Sequence, residues 1–290
     1  MKPSSKRKAA LLAIFCASLW AMGQAVAATP AALVTIVEGR AKLLRGASVF
    51  KLQQGVAVVA GDILETDERT HVQVEFADGT TVGLGSGSSA MLGDLPSGVG
   101  KSGSVYLASG WLKAAGGSNA GQMRAFTSSF TLNPKSGVYV LHRDATQSEF
   151  FVESGQLVPM ALRKGASPWD TRSAGDFVVV KSGAEPEFLK RPSSQFLAAL
   201  PRTFTNTFPA RFVQISAKKV EPVWESDISF ADADRWLRTY PYERKQWLTR
   251  MTGRLKDKDF RAQADKSLSA SPEWDPLLHP EKTLAKASKP

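Results

Sequence analysis

Three histidines, His71, His142 and His279, are the first side chains to weigh for chemistry, and they lie far apart in sequence. None has a second histidine or a cysteine at the spacing a metal ion needs, and His71 and His142, at strand ends, are read as plain surface residues. A serine triad would need one of them beside a serine on a sharp elbow, and no G-x-S-x-G occurs. Gly98-Val-Gly100-Lys101-Ser102 resembles the end of a phosphate-binding loop, but the position that should hold the first glycine is Leu95. The residues that follow, Val105-Tyr-Leu107, read as a strand where such a loop opens a helix. Gly83-Leu-Gly85-Ser-Gly87 lacks the third-glycine spacing of a dinucleotide site. The carboxylates Asp62, Glu65 and Asp78 could hold a metal or serve as acids, but turn chemistry already accounts for Asp62 and Asp78. No catalytic, cofactor-binding or metal-ligating residue is assigned, no cofactor is expected, and the chain is read as a non-enzyme.

The N-terminus carries a stronger signal. Lys2, Lys6, Arg7 and Lys8 precede an uncharged apolar stretch from Ala9 to about Gly23, and Ala25-Val26-Ala27 closes it. That is the order of a secretory signal peptide, predicted to be cleaved after Ala27. The stretch is short for a bilayer span of about 20 apolar residues, so no membrane span is expected in the mature chain. Cys16 follows Phe15 where a lipoprotein site wants a small residue. It is the only cysteine, so a cleaved chain has no disulfide or thiolate chemistry. Cleavage removes four of 37 basic residues and lowers the net charge from +10 to +6. Residues 28–182 are nearly neutral and 183–290 carry a net +5, a mild excess that suits an anionic envelope surface. Such a diffuse charge falls short of a nucleic-acid patch, and no nucleic acid is expected as partner.

Any site must be positioned by the elements around it, and from Ala32 to about Lys181 these read as strands. His71-Val-Gln-Val-Glu-Phe76 alternates polar with apolar as a half-buried strand does, and Asp78-Gly79-Thr80 turns the chain into Thr81-Val-Gly-Leu84. About twelve short apolar runs recur with turn residues between them, the pattern of an all-β sandwich or roll.

The run Gly61-Asp62-Ile-Leu-Glu-Thr66, followed by His71–Phe76, Asp78-Gly79-Thr80 and a further strand, resembles the FecR domain family. Val37-Glu38-Gly39, Gly137-Val-Tyr-Val140 and Glu153-Ser-Gly155 also look like that family's strand-and-turn units. The resemblance covers roughly Ala32 to Val180. It implies a periplasmic all-β interaction domain in which Gly61, Asp62, Thr66, Asp78, Gly79 and Thr80 are structural turn residues. The best-known members are inner-membrane regulators with a cytoplasmic arm that controls a sigma factor. Here a signal peptide stands in that place, so sigma-factor control is not carried over.

Beyond Ser182 the composition shifts. Pro186, Pro192, Pro201 and Pro209 forbid a long helix, while Phe188, Phe196, Phe204, Phe208 and Phe212 recur between them. Residues 183–227 are read as a strap packed on the β domain, with a partner-binding segment as the alternative. From Asp232 the period is helical: Trp236 and Leu237 end one helix, Pro241 suits the start of the next, and Phe260, Ala264 and Leu268 share a face. Residues 228–282 are therefore expected to form a small helical unit, and 283–290 a disordered tail.

The reading is a mainly β chain, a FecR-like all-β roll or sandwich with a small α-helical C-terminal unit. It is expected to be a periplasmic, non-enzymatic binding or regulatory scaffold whose partner is an unidentified envelope protein or cell-wall polymer. Trp111, Trp236 and Trp247 are the candidate ligand or partner contacts, because a carbohydrate or peptidoglycan binder would stack sugar faces on them. A membrane-anchored regulator of the FecR type is a further alternative. The sequence does not fix the oligomeric state.

Overall fold

The computed structural model describes residues 30–96, 101–116, 122–162, 165–218, 220–238, 247–268 and 271–280. The N-terminal segment read as an export signal, Gly98 to Gly100, Pro241 and the tail from 283 lie outside the described residues. The chain is mainly β, with one large mixed sheet and a few short helices toward its C-terminus.

The first strands are β1 (Ala32–Glu38), β2 (Ala41–Arg45), β3 (Ser48–Lys51), β4 (Ile63–Thr66) and β5 (His71–Phe76). Next come β6 (Thr81–Leu84), β7 (Ser89–Leu92), β8 (Gly103–Ala115), β9 (Met123–Phe126) and β10 (Phe130–Arg143). The last are β11 (Gln147–Ala161), β12 (Arg172–Ser173), β13 (Phe177–Lys181), β14 (Glu187–Leu189) and β15 (Val223–Asp227). The helices are α1 (Ser194–Ala199), α2 (Phe212–Ser216), α3 (Phe230–Leu237), α4 (Lys258–Leu268) and α5 (Asp275–Leu278), with 3-10 turns at Arg202–Thr205 and Thr252–Lys256.

Three long strands fold the sheet over on itself. The C-terminal half of β8 pairs with β6 and β10, and its N-terminal half pairs with β7 and, in parallel, β9. β10 and β11 run side by side from Phe130↔Ala161 to Arg143↔Ser148. Gly110, Gly137 and Gly155 stand inside these three strands at φ +89°, +92° and +75°. Gly137 and Gly155 are direct cross-strand partners, and a Cβ on either would run into the backbone of the other strand. Only glycine takes this conformation cheaply, so each marks a bend that passes its strand from one layer to the other. The sequence suggests short strands here, and these glycines are instead kinks within long ones.

The result is two layers. One runs β1-β5-β6-β8-β10-β11-β13-β14, and the other runs from β15 through β3, β2, β4, β7, the first half of β8 and β9 to the far halves of β10 and β11. Their inner faces meet in the main core, where Val72, Val74, Phe76, Leu84 and Leu112 pack with Leu43, Leu64, Leu92 and Leu107. Both outer faces are also covered, which is why β5, β6 and β7 are buried at every residue. On the outer face of the second layer, Leu44, Val49, Ile63, Met91 and Tyr106 pack against Phe230, Trp236, Trp247, Met251, Phe260 and Trp274. Ser229 and Asp232 form a capping box that starts α3 just where the chain meets this face.

The sheet does not stop at Ser182. β14 adds to β13, and β15 adds to β3, so residues 183–227 supply an edge strand at each end of it.

Candidate interaction face

On the outer face of the first layer the alternation of β5 becomes informative. Val72, Val74 and Phe76 point into the core, and His71, Gln73 and Glu75 point the other way. Such a strand should leave its polar side in water, but all three of these residues are buried. What covers them is the segment from Pro201 to Phe212.

The cover is held mainly by side chains of the sheet reading the strap's main chain. Gln73 Nε2 donates to the Pro209 carbonyl at 2.8 Å and to Thr35 Oγ1 at 3.0 Å. Glu75 Oε2 accepts from the N–H groups of Arg211 (2.7 Å) and Phe212 (2.9 Å). Lys113 on β8, only 2% exposed, donates to the carbonyls of Phe204 (2.6 Å) and Asn206 (3.1 Å) and pairs with Glu153 at 2.8 Å. Gly83 on β6 is bare where the Phe208 ring lies, and a Cβ there would collide with that ring. Phe204 and Phe208 pack on His71 with centroids 6.0 and 5.8 Å away, and the Lys113 ammonium lies 5.4 Å from the Phe208 centroid. Beside this polar strip an apolar patch of Trp111, Val140, Phe177 and Val179 receives Phe196 and Phe204.

Two buried atoms in the seam have no partner: His71 Nδ1 and Gln73 Oε1. Each such group costs about 1–3 kcal/mol, so the seam is less complete than the core behind it. Lys113→Met would leave the Phe204 and Asn206 carbonyls without their donor. It is expected to lower stability by about 1–3 kcal/mol, read as a shift of the urea midpoint.

Burial pushes the His71 imidazole below its ordinary pKa, against a smaller opposing pull from Glu38 and the Leu84 carbonyl. Folding therefore favours neutral His71, and this contribution is present above the unfolded value of about 6.5 and lost as pH falls below it. Thermal unfolding followed from pH 7.5 to 5.0 should show Tm falling with pH, and His71→Gln should flatten the slope. The sequence reading placed His71 and His142 on the surface. Instead His71 lies under the strap, and His142 is stacked on Trp111 at 4.1 Å with Nδ1 3.1 Å from Glu149 Oε2.

The turn residues have structural partners throughout. Gly61 and Gly79 take φ +83° and +85°. Asp78 accepts from Thr80 N (2.9 Å) and Thr80 Oγ1 (3.0 Å), locking the β5–β6 turn as expected. Asp62 does something else: it accepts from Val59 N behind it and from Arg45 through Nε (2.9 Å) and Nη2 (2.6 Å). Thr66 Oγ1 donates to the Gly85 carbonyl at 2.6 Å and accepts from Ser88 N at 2.8 Å. Arg250 donates to the Gly61 carbonyl at 2.6 Å, tying the helical unit to the same turn.

The three tryptophans named as contacts are all interior. Trp236 and Trp247 join the helices to the second layer, and Trp111 lies beneath α1. A sugar platform needs an exposed ring face, so none of the three supplies one. Exposed aromatic surface lies elsewhere: Trp224 on β15, 59% exposed, and Phe188 on β14. Phe188 stands edge-on to Trp169, and between the ends of β11 and β13 and the loop after β13 a cleft of about 290 Å³ is lined in part by Trp169, Ser128, Ser182 and Glu185. Among the described residues no three His, Cys, Asp or Glu side chains group as metal ligands, and no helix is long and apolar enough to cross a membrane.

No family model matches the sequence, and a search of curated proteins finds no match. Two solved structures, each titled a "putative anti-sigma factor" from Parabacteroides distasonis ATCC 8503, are similar at a TM-score of 0.38. Identity is 13% and 12%, and the likeness covers 47% of this chain and 62% and 63% of theirs. It spans less than two thirds of either neighbour, and their activity is not carried over. The FecR resemblance rests on the turn residues themselves.

Proposed function

We propose that this chain is an exported, non-enzymatic binding or regulatory scaffold of the cell envelope, built on a FecR-like β domain. The observation that carries the reading is the strip of Gln73, Glu75 and Lys113, side chains spent on holding the strap by its main chain, with His71 packed under its rings. Recognition of that kind is how folded domains bind peptides. The export signal and the mild positive charge of residues 183–290 favour the envelope as the setting. Crosslinking in intact cells, followed by purification from envelope extract, should recover one defined envelope protein. Recovery of nothing beyond the chain itself would sink the reading. Mass spectrometry should find Ala28 as the mature N-terminus, and a retained Lys2 would favour a membrane-anchored regulator.

A second reading, a cell-wall saccharide binder, is favoured by the cleft at Trp169, where an aromatic wall faces hydroxyl and carboxylate groups. Co-sedimentation with purified cell wall at low salt, lost on Trp169→Ala, would support it. An unchanged supernatant for the wild-type chain would remove it.

A further inference from the structure

The strap from Pro201 to Phe212 covers a surface unlike the others in the molecule. Beneath the helices and between the layers the covered residues are apolar, so uncovering them would expose hydrocarbon to water. Beneath the strap most of the covered strip is His71, Gln73, Glu75 and Lys113, groups that water solvates well, and of the strap's buried residues only Phe204 reaches the apolar patch of Trp111, Val140 and Phe177 beside it. Lifting the strap gives these groups water in exchange for strap carbonyls and N–H donors. It also gives partners to His71 Nδ1 and Gln73 Oε1, which have none when the strap is down. Most of the strap is already in contact with solvent, with only Phe204 and Phe212 buried along it. A segment on a polar bed with few apolar anchors opens locally while the sheet stays folded.

The bed also defines what else fits. It offers donors to carbonyls at three points along a chain, an acceptor to two successive N–H groups, and a bare glycine, Gly83, under an aromatic ring. Apart from the ring, these contacts read main chain and place no demand on side-chain identity. We infer that the strap is a resident occupant of a peptide-binding groove, and that a segment of a partner protein, bearing an aromatic residue, replaces it. The inference rests on the scaffold reading and names the class of partner that the scaffold takes. In the closed chain the groove's affinity for an outside segment is reduced by the fraction of time the strap is down, so loosening the strap raises it.

The test uses the folded full chain and a fluorescent synthetic peptide of residues 200–213, the one sequence known to fit. Phe204→Ala with Phe208→Ala removes strap anchors and leaves the strip intact. Arg211→Pro removes one strap N–H and forces a φ far from the −132° seen there, and serves if the double variant does not fold. Anisotropy titration should show at least tenfold tighter peptide binding to a loosened chain than to wild type, and Gln73→Ala with Glu75→Ala on the loosened background should abolish it. Equal binding to wild-type and loosened chains, or none to any folded loosened variant, overturns the groove. Dimerisation of the loosened chain in place of peptide binding would make a second copy the occupant and overturn the partner assigned here. Recovery of an envelope protein in the crosslinking experiment alongside a failed peptide titration would place the scaffold's binding surface elsewhere and leave the scaffold reading standing.

Discussion

Gly155→Val is expected to cost the fold about 2–6 kcal/mol, a large share of a total stability that for most domains is about 5–15 kcal/mol. Gly155 takes φ +75° in the interior of β11, where a β-branched residue is strained by about 1–3 kcal/mol. A Cβ there would also meet the Ser136 carbonyl and the Gly137 Cα of the paired strand. Those atoms belong to the same ladder and cannot retreat without breaking it, so overpacking adds about 1–3 kcal/mol. Gly46→Ala is the control: φ is +62° but nothing lies within 4 Å, so only the left-handed conformation is charged, about 1 kcal/mol. Urea unfolding by far-UV circular dichroism separates the two. Similar midpoints for both variants would mean that the mid-strand kinks do not hold the two layers together.

Trp236→Ala is the second large effect, an expected loss of about 3–5 kcal/mol. Its indole is fully buried between α3 and the second layer, with Tyr106 at 6.1 Å and Trp247 at 6.3 Å. Nε1 donates to Glu65 Oε1 at 3.4 Å, so truncation leaves both a cavity and a lost polar contact. Trp224→Ala on exposed β15 should change stability by less than about 0.5 kcal/mol. A comparison of the two urea midpoints tests whether the helical unit is part of the folded core. Equal midpoints would mean that it is an appendage.

Much of this was legible in the sequence. The alternation at His71–Phe76, the Asp78-Gly79-Thr80 turn and the Phe260, Ala264, Leu268 stripe all correspond to observed elements, because each is set by contacts close in sequence. Strand length is not legible in the short apolar runs, because a glycine that bends a strand, as Gly137 and Gly155 do, looks in sequence like one at a strand's end. The pairings that make the interaction face were not legible. Gln73 and Pro209, 136 positions apart, meet only because the strap crosses back over the first layer, and no local pattern encodes that pairing. The same return buries Trp111 and His71, one expected to be a contact and the other a surface residue. The recurring phenylalanines from Phe196 to Phe212 were the one signal of it, since a free linker would have no use for them.

The central claim, that the strap is a separable cover on an otherwise complete sheet, is tested most directly by hydrogen exchange of the full-length chain, resolved by mass spectrometry. The account predicts that the amides of residues 201–212, with those of Arg211 and Phe212 among them, exchange through a local opening at least tenfold faster than the amides of β5 and β8 beneath them. It also predicts that Phe204→Ala speeds the strap without speeding the sheet. Strap amides that exchange only as fast as those of β5 and β8, with all of them accelerated together by the substitution, would contradict it.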